Sequence, residues 1–331
     1  MMKVGIVGSG MIVRYILEDW KSFPGEVEAA AMWCREQDLE SAEKLAEDCG
    51  IAKVYTDYEE FLKDDGFDFV YNGLVNSFHY EFSKKALLAG KSVVCEKPFT
   101  STFAQAEELL DIAKEKGLYL FESILPWYRV NYEAIRNRIS DVGEVKLVEA
   151  CYTQYSRRYD MYKQGTVLPV FSPELHGGCL YDIMTYSIHW IMGLFGEPED
   201  AKYYPNIGYN GIDTSGVLVM DYGNFKAVCI SGKDTASENR CVIQGDNGAI
   251  VLHGSPSDCE DIWFNEHGKE AVCIDKEKPL PMFRDVWKVI IETVKNGDRE
   301  KCLAMTEKVT SVMKLMENVR IDAGICFSCD K

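Results

Sequence analysis

Apolar and polar positions alternate in blocks along the first third of the chain. Residues 3–8, KVGIVG, are a short apolar run that breaks at Gly8-Ser9-Gly10 and passes into MIVRYILEDW, whose apolar spacing suits a helix with one buried face. A second apolar run, VEAAAMW (27–33), is followed by the Ala-, Glu- and Lys-rich SAEKLAEDC, which reads as another helix. The alternation continues through FDFVYNGL (67–74), a helix containing HYEFSKKALLAG (79–90), the strand SVVCEKP (92–98), the helix FAQAEELLDIAKEKG (103–117) and the strand LYLFES. Strands that alternate with helices predict an α/β domain built on a parallel, doubly wound sheet over residues 1–122.

Beyond residue 123 the pattern changes. A helix around NYEAIRNRI leads to the strand EVKLVEACYTQY, and further β-like runs follow as GVLVMDYG, FKAVCISG, RCVIQG, AIVLHG and DIWFNE. Turns such as Asp246-Asn247-Gly248 join them, which favours an antiparallel sheet. Residues 123–331 are therefore expected to form an α+β domain with a large, mainly antiparallel, open-faced sheet. Two amphipathic helices near 281–296 and 300–323, separated by Asn296-Gly297-Asp298, close the chain and either stay with this domain or pack back on the first. An uncovered sheet face carrying apolar residues such as those of GVLVMDYG has to be buried by something, so self-association as a homodimer or higher oligomer is expected.

At 331 residues and 47% hydrophobic, the chain has enough apolar content for two cores and room for a substrate site in the second domain. It has no run of eighteen apolar residues, and MMKVGIVGSG enters a strand without a signal core, so a soluble, unexported protein is expected. The net charge of −17 argues against a nucleic-acid partner, which needs clustered Lys and Arg. The twelve cysteines are scattered, several within apolar runs, and fit a reducing cytoplasm; Cys326 and Cys329 have CxxC spacing without a second pair, and no metal site is expected.

A glycine-rich turn between strand and helix lets the backbone approach a pyrophosphate, with the helix N-terminus supplying N–H groups and a favourable dipole. Gly8 and Gly10 fill two positions of a GxGxxG fingerprint and Val13 stands at the third, where a smaller residue is usual. Gly8, Ser9, Gly10, Met11 and Ile12 are thus the expected dinucleotide cradle of a Rossmann domain. The second strand ends in Trp33-Cys34-Arg35 with no carboxylate at its tip, and Trp33 and Arg35 are candidate cofactor contacts. Arg35 can clamp a 2′-phosphate, which points to NADP(H) with NAD(H) still possible; its alternative is to stack on adenine or lie in solvent.

CEKPF (95–99), with NSFHYEFSKKALLAGKSVVCEKP before it and GGCLYDIMTYSIHW (177–190) later, resembles the Gfo/Idh/MocA oxidoreductases, and the likeness extends over essentially the whole chain. It implies that Lys97 is the catalytic lysine, that Pro98 follows a cis peptide, and that Asp182 is the acidic member of the site. Where many members have His four residues after that Asp, this chain has Tyr186, similar to the dihydrodiol dehydrogenase and glucose-fructose oxidoreductase branch, in which tyrosine is the acid/base and NADP the cofactor. The resemblance also places Leu74, Asn76 and His79 beside the nicotinamide half, and Glu96 on the ribose side.

Residue chemistry agrees with that assignment. A phenol at its ordinary pKa of about 10 is a poor base near neutrality, and a nearby ammonium such as that of Lys97 favours the phenolate. Asp182 and Tyr186 are four apart and share a helix face, as does His189, which is either a competing proton carrier or a core residue. The alternatives are a buried, hydrogen-bonded Tyr186, a capping role for the Asn76–His79 cluster, and a Glu96 salt bridge to Lys97. Tyr155, Arg158 and Tyr159 in YTQYSRRYDMY, and His176, are candidate substrate contacts; a strand edge or subunit contact is the other reading of the tyrosine segment. The expected activity is hydride transfer between nicotinamide C4 and a secondary alcohol or ketone of a sugar, polyol or cyclic diol. An NAD-dependent sugar or inositol dehydrogenase with a His base, and a silent NADP-binding regulator, are the rivals.

Overall fold

The computed structural model describes residues 1–275, 278, 280 and 283–330, in two compact units. The first comprises Met1–Ser123 with Leu280–Thr310, and the second Ile124–Pro279 with Ser311–Lys331.

The first unit holds a six-stranded sheet of β1 (Met2–Val7), β2 (Val27–Trp33), β3 (Val54–Tyr55), β4 (Phe69–Asn72), β5 (Ser92–Glu96) and β6 (Leu120–Ser123), in the order β3-β2-β1-β4-β5-β6. Every pairing is parallel. Helices cover both faces, so β1, β4 and β5 are buried nearly throughout and read as continuous apolar runs. Helix α1 (Met11–Trp20) turns Val13, Ile16, Leu17 and Trp20 inward. Trp20 meets Trp287 edge-on at 4.6 Å, and the buried Asp19 carboxylate accepts from the Phe283 N–H at 2.8 Å. Thus part of the C-terminal region belongs with the N-terminal sheet, the second of the two placements that the sequence pattern left open. The helix expected near 281–296 spans Arg284–Lys295; positions 281 and 282 lie outside the described residues.

The second unit is built on eight strands: β7 (Val145–Thr153), β8 (Asp200–Ile207), β9 (Asp213–Asp221), β10 (Lys226–Gly232), β11 (Arg240–Gly245), β12 (Gly248–His253), β13 (Ile262–Glu266) and β14 (Val272–Cys273). Their order is β14-β13-β12-β11-β7-β10-β9-β8, with β7 and β10 parallel and the other pairings antiparallel. Alternation is clean: Val148, Ala150, Leu218, Met220, Ala227, Cys229 and Ile243 are buried on one face, while Leu147, Val217 and Ile230 stand exposed on the other. Three strands were not anticipated. β3 and β14 are two residues long, and edge strand β8 interrupts its apolar pattern with Lys202 and Pro205.

Candidate functional site

In the first unit Gly8 has φ +103°, the left-handed region open to glycine, and its N–H donates to the Trp33 carbonyl at 2.9 Å. A Cβ on Gly10 would meet nothing within 4 Å, and α1 starts at Met11 with no side-chain cap and no acidic residue in its first turn. Open space over an uncapped helix start fits a pyrophosphate. The unusual Val13 is accommodated from the facing strand end: a Cβ on Gly73 would lie 2.9 Å from Val13 Cγ2, so glycine there makes the room that the third fingerprint position lacks. Trp33 departs from expectation. Its indole is withdrawn into the core against Tyr58 and Phe82 and donates to the Thr56 carbonyl at 2.9 Å, so only its backbone reaches the glycine turn. Arg35 stands exposed two residues beyond the strand's end, its Nε donating to Asp38 Oδ2 at 2.7 Å.

The loops after β4 and β5 are tied to each other. His79 is fully buried, with Nδ1 2.7 Å from the Pro98 carbonyl and Nε2 3.0 Å from the Leu74 carbonyl. It therefore fixes the two loops from below and offers no ring surface to a cofactor, a correction to the sequence expectation. The helix His79–Leu88 has Phe78 at its N-cap, which supplies no side-chain cap. Asn76 opens a short 3₁₀ turn, and the Ser77 hydroxyl beside it is buried without a partner among the described residues. Glu96 is also turned inward, accepting from the Tyr71 hydroxyl at 2.8 Å instead of facing a ribose. Burial pushes its carboxyl up, opposed by the Tyr71 hydrogen bond and the Lys97 charge. The Lys97–Pro98 peptide is cis, and the next N–H, that of Phe99, donates to buried Glu122 at 2.9 Å. Lys97 thus stands half-buried on a backbone held from both sides.

In the second unit Asp182 lies in a π-helical turn, Leu180–Met184, that runs into helix α2 (Thr185–Phe195). The i, i+4 argument assumed a regular α-helix; the π turn widens the spacing just where Asp182 sits. Asp182 forms an ion pair with Lys233, whose side chain is 7% exposed. That lysine escaped the sequence reading; its only local signal is a charged Lys233-Asp234 directly after the small, buried Ser231-Gly232 at a strand end. Around it the Asp213 carboxylate accepts from the Leu180 N–H at 2.6 Å and the Tyr203 hydroxyl at 2.7 Å, while Asp234 takes Thr214 and Ser215. Tyr186 is half-buried with its ring 5.8 Å from that of Tyr152.

Neither of the two histidines singled out in this unit, His189 and His176, is placed as a base. His189 is buried, with Nδ1 2.8 Å from the Thr185 carbonyl and its ring edge-on to Trp127 at 5.0 Å. His176, a candidate substrate contact, instead stacks on Phe327 at 4.9 Å and meets the Ser328 hydroxyl at 2.9 Å, packing the C-terminal tail. The tyrosine segment leaves β7, which holds Tyr152, and becomes a helix over Arg157–Lys163, which carries Arg158 and Tyr159. The Tyr155 hydroxyl donates to Asp160 at 2.7 Å, Arg158 is exposed, and Tyr159 packs on Tyr162 and Phe171 at 5.8 and 5.7 Å. Phe171 lies 5.9 Å from Lys233 Nζ, which links these aromatics to the Asp182 neighbourhood.

Burial, with the Arg320 charge adding to it and Asp330 opposing, pushes His176 down to about 4. A histidine kept neutral in the fold contributes stability that is complete above its ordinary value of 6.5 and lost as pH falls toward 4. The difference in unfolding free energy between the protein and His176→Gln, measured by urea titration, is expected to shrink over that window. A constant difference from pH 7.5 to 4 would refute the assignment.

A dinucleotide-binding sheet with an open glycine turn, joined in one chain to a second unit carrying an acid–tyrosine pair, defines an NAD(P)-binding oxidoreductase. The chain belongs to the GFO/IDH/MocA family: the model of the oxidoreductase family with NAD-binding Rossmann fold matches residues 2–123, and that of the GFO/IDH/MocA C-terminal domain matches residues 132–251. It is 31% identical over 333 residues to scyllo-inositol 2-dehydrogenase (NADP(+)) IolU of Bacillus subtilis, with both chains covered in full. It is 30% identical over 261 residues to trans-1,2-dihydrobenzene-1,2-diol dehydrogenase of Xenopus tropicalis, covering 77% of this chain and 76% of the other. The structure of KijD10, a 3-ketoreductase from Actinomadura kijaniata solved with NADP and TDP-benzene, superposes with a TM-score of 0.81 over 97% of both chains at 22% identity, a likeness of fold.

Proposed function

We propose that the protein is an NADP-preferring dehydrogenase acting on a CH–OH group of a polyol, sugar or cyclic diol in the cytoplasm. The observation that carries this reading is the set of Lys97, on a backbone braced by Glu122, and Asp182, charge-paired with Lys233 four residues ahead of Tyr186. The relatives named for scyllo-inositol and for a dihydrodiol support the substrate class. The twelve free thiols accord with a reducing compartment.

Residues Gly8 to Ile12 would hold the pyrophosphate, Arg35 the 2′-phosphate, and Leu74 and Asn76 the nicotinamide half. The bound cofactor supplies a hydride acceptor at nicotinamide C4. Lys97 donates a hydrogen bond to the substrate oxygen, Tyr186 takes the hydroxyl proton, and Asp182 orients both. Loss of that proton with the carbinol hydride leaves the ketone; in reduction Tyr186 returns the proton to the oxygen. Tyr155, Arg158 and Tyr159 are proposed to contact the outer part of the substrate.

Fluorescence titration with NADPH and NADH tests the cofactor, and reduction of NADP by scyllo-inositol, trans-dihydrodiols and common sugars tests the reaction. Tighter NADPH binding and turnover of at least one of these support the reading. Equal NADH affinity, or tight binding with no turnover across the panel, would move an NAD-dependent enzyme or a silent binding protein to first place. The apolar sheet face bearing Leu147, Val217 and Ile230 is proposed to pair with a second copy. Sedimentation as a dimer at micromolar concentration is expected; a monomer would sink that part.

A further inference from the structure

The end of β2 carries more than an arginine. Arg35 is followed by a 3₁₀ turn, Glu36–Asp38, which folds Asp38 back so that its N–H donates to the Arg35 carbonyl at 2.8 Å. The same turn brings the Asp38 carboxylate to Arg35 Nε at 2.7 Å. The turn is itself held, because the Ser41 hydroxyl donates to the Asp38 carbonyl at 2.8 Å. Asp38 is the less exposed partner, 34% against 54% for Arg35.

A guanidinium has one Nε edge and one edge formed by its two terminal nitrogens. Asp38 occupies the first. Facing the second is a neutral atom: the Gln37 amide oxygen, in the orientation that satisfies both ends of that amide, lies 3.3 Å from Nη1 and from Nη2. A single neutral acceptor bridging both terminal nitrogens occupies the place that phosphate oxygens take in a two-pronged grip, and a charge-assisted phosphate contact is about twice as strong as a neutral one. The carboxylate on Nε cannot be displaced without breaking an ion pair, whereas the amide can.

We propose that Asp38 is the residue that positions Arg35 for a 2′-phosphate, so that preference for NADP(H) over NAD(H) depends on the pair and not on Arg35 alone. An unanchored arginine, exposed on a strand end, would have to surrender the freedom of several side-chain torsions on binding. Anchoring by Asp38 removes that cost in advance. Glu36, exposed on the same turn, and Glu40, exposed in the first turn of the helix Leu39–Cys49 that follows, lack this contact and set only the surrounding negative field.

The inference rests on the reading of Arg35 as a phosphate ligand, and one titration series separates the two. NADPH and NADH affinities are measured by nucleotide fluorescence for the full chain and for Arg35→Ala, Asp38→Ala, Asp38→Asn and the Arg35→Ala/Asp38→Ala double variant. Expected are a large loss of NADPH affinity in Arg35→Ala, a smaller loss of about three- to tenfold in both Asp38 variants, and no further loss in the double variant. NADH affinity should stay constant throughout, which also shows that each variant is folded. If Asp38→Ala binds NADPH as tightly as the parent or more tightly, while Arg35→Ala is impaired, the carboxylate competes with the phosphate or is a bystander, and the inference is overturned with the Arg35 reading intact. If Arg35→Ala binds NADPH normally, the reading itself fails and the inference with it. If the Asp38 variants lose NADH and NADPH equally, Asp38 supports the fold of the turn and not selectivity, and the inference fails.

Discussion

Lys97→Met is expected to lower kcat by about a hundred- to ten-thousandfold, the span of positioned acid–base groups, while NADPH binding stays within a few-fold of the parent. The backbone of Glu96 to Phe99 is held by groups other than the lysine side chain: His79 on the Pro98 carbonyl, Tyr71 on Glu96 and Glu122 on the Phe99 N–H. Removing the ammonium therefore removes chemistry without dismantling the loop. Tyr186→Phe is expected to fall in the same range, and the double variant to be little worse than either, since two groups acting on one proton transfer do not contribute independently. The check is steady-state kinetics on whichever polyol, sugar or diol is turned over. A Lys97→Met enzyme retaining more than a tenth of parental kcat would show that the lysine is not part of the reaction.

The residues legible in the sequence are those whose roles are local. Gly8 and Gly10 lie within one strand-to-helix turn, and the buried strands of the first sheet announce themselves as unbroken apolar runs. The residues that misled have partners far along the chain. Trp33 ends a strand, where a side chain faces either helices or ligand, and only the packing of Tyr58 and Phe82 shows which. His79 looked like a ligand because it stands in a ligand loop, yet its partners include the Pro98 carbonyl, 19 residues on. His176 is taken up by Ser328, 152 residues away. Lys233, 51 residues from Asp182, had no periodicity or motif to mark it. Charge pairing of this kind is invisible to pattern reading because any carboxylate can partner any lysine until topology chooses.

The largest stability effect is expected at the C-terminal tail. Arg320 is wholly buried, and its two terminal nitrogens donate to the two oxygens of Asp330 at 2.6 and 2.7 Å, with Nη1 also donating to the Ile325 carbonyl at 2.8 Å. Its guanidinium lies 4.2 Å from the Phe327 ring centre, and Phe327 in turn meets Tyr181, the neighbour of Asp182, edge-on at 4.9 Å. Burial raises the Asp330 carboxyl, but its hydrogen bonds with Arg320 and the Phe327 N–H outweigh that and hold it below the usual carboxylate range. The pair therefore stabilises fully above the ordinary carboxylate value, and its contribution is lost as pH falls through the depressed one. Asp330→Asn, which keeps the shape and removes the charge, leaves a buried cation uncompensated and is expected to cost about 3–5 kcal/mol in denaturant unfolding at pH 7. Adding Arg320→Met removes the stranded charge and should recover most of the loss, because an apolar side chain of similar volume can replace a buried ion pair at little cost. A loss below about 1 kcal/mol in the single variant would mean that solvent reaches Arg320 and that the ion pair does not hold the C-terminal tail in place.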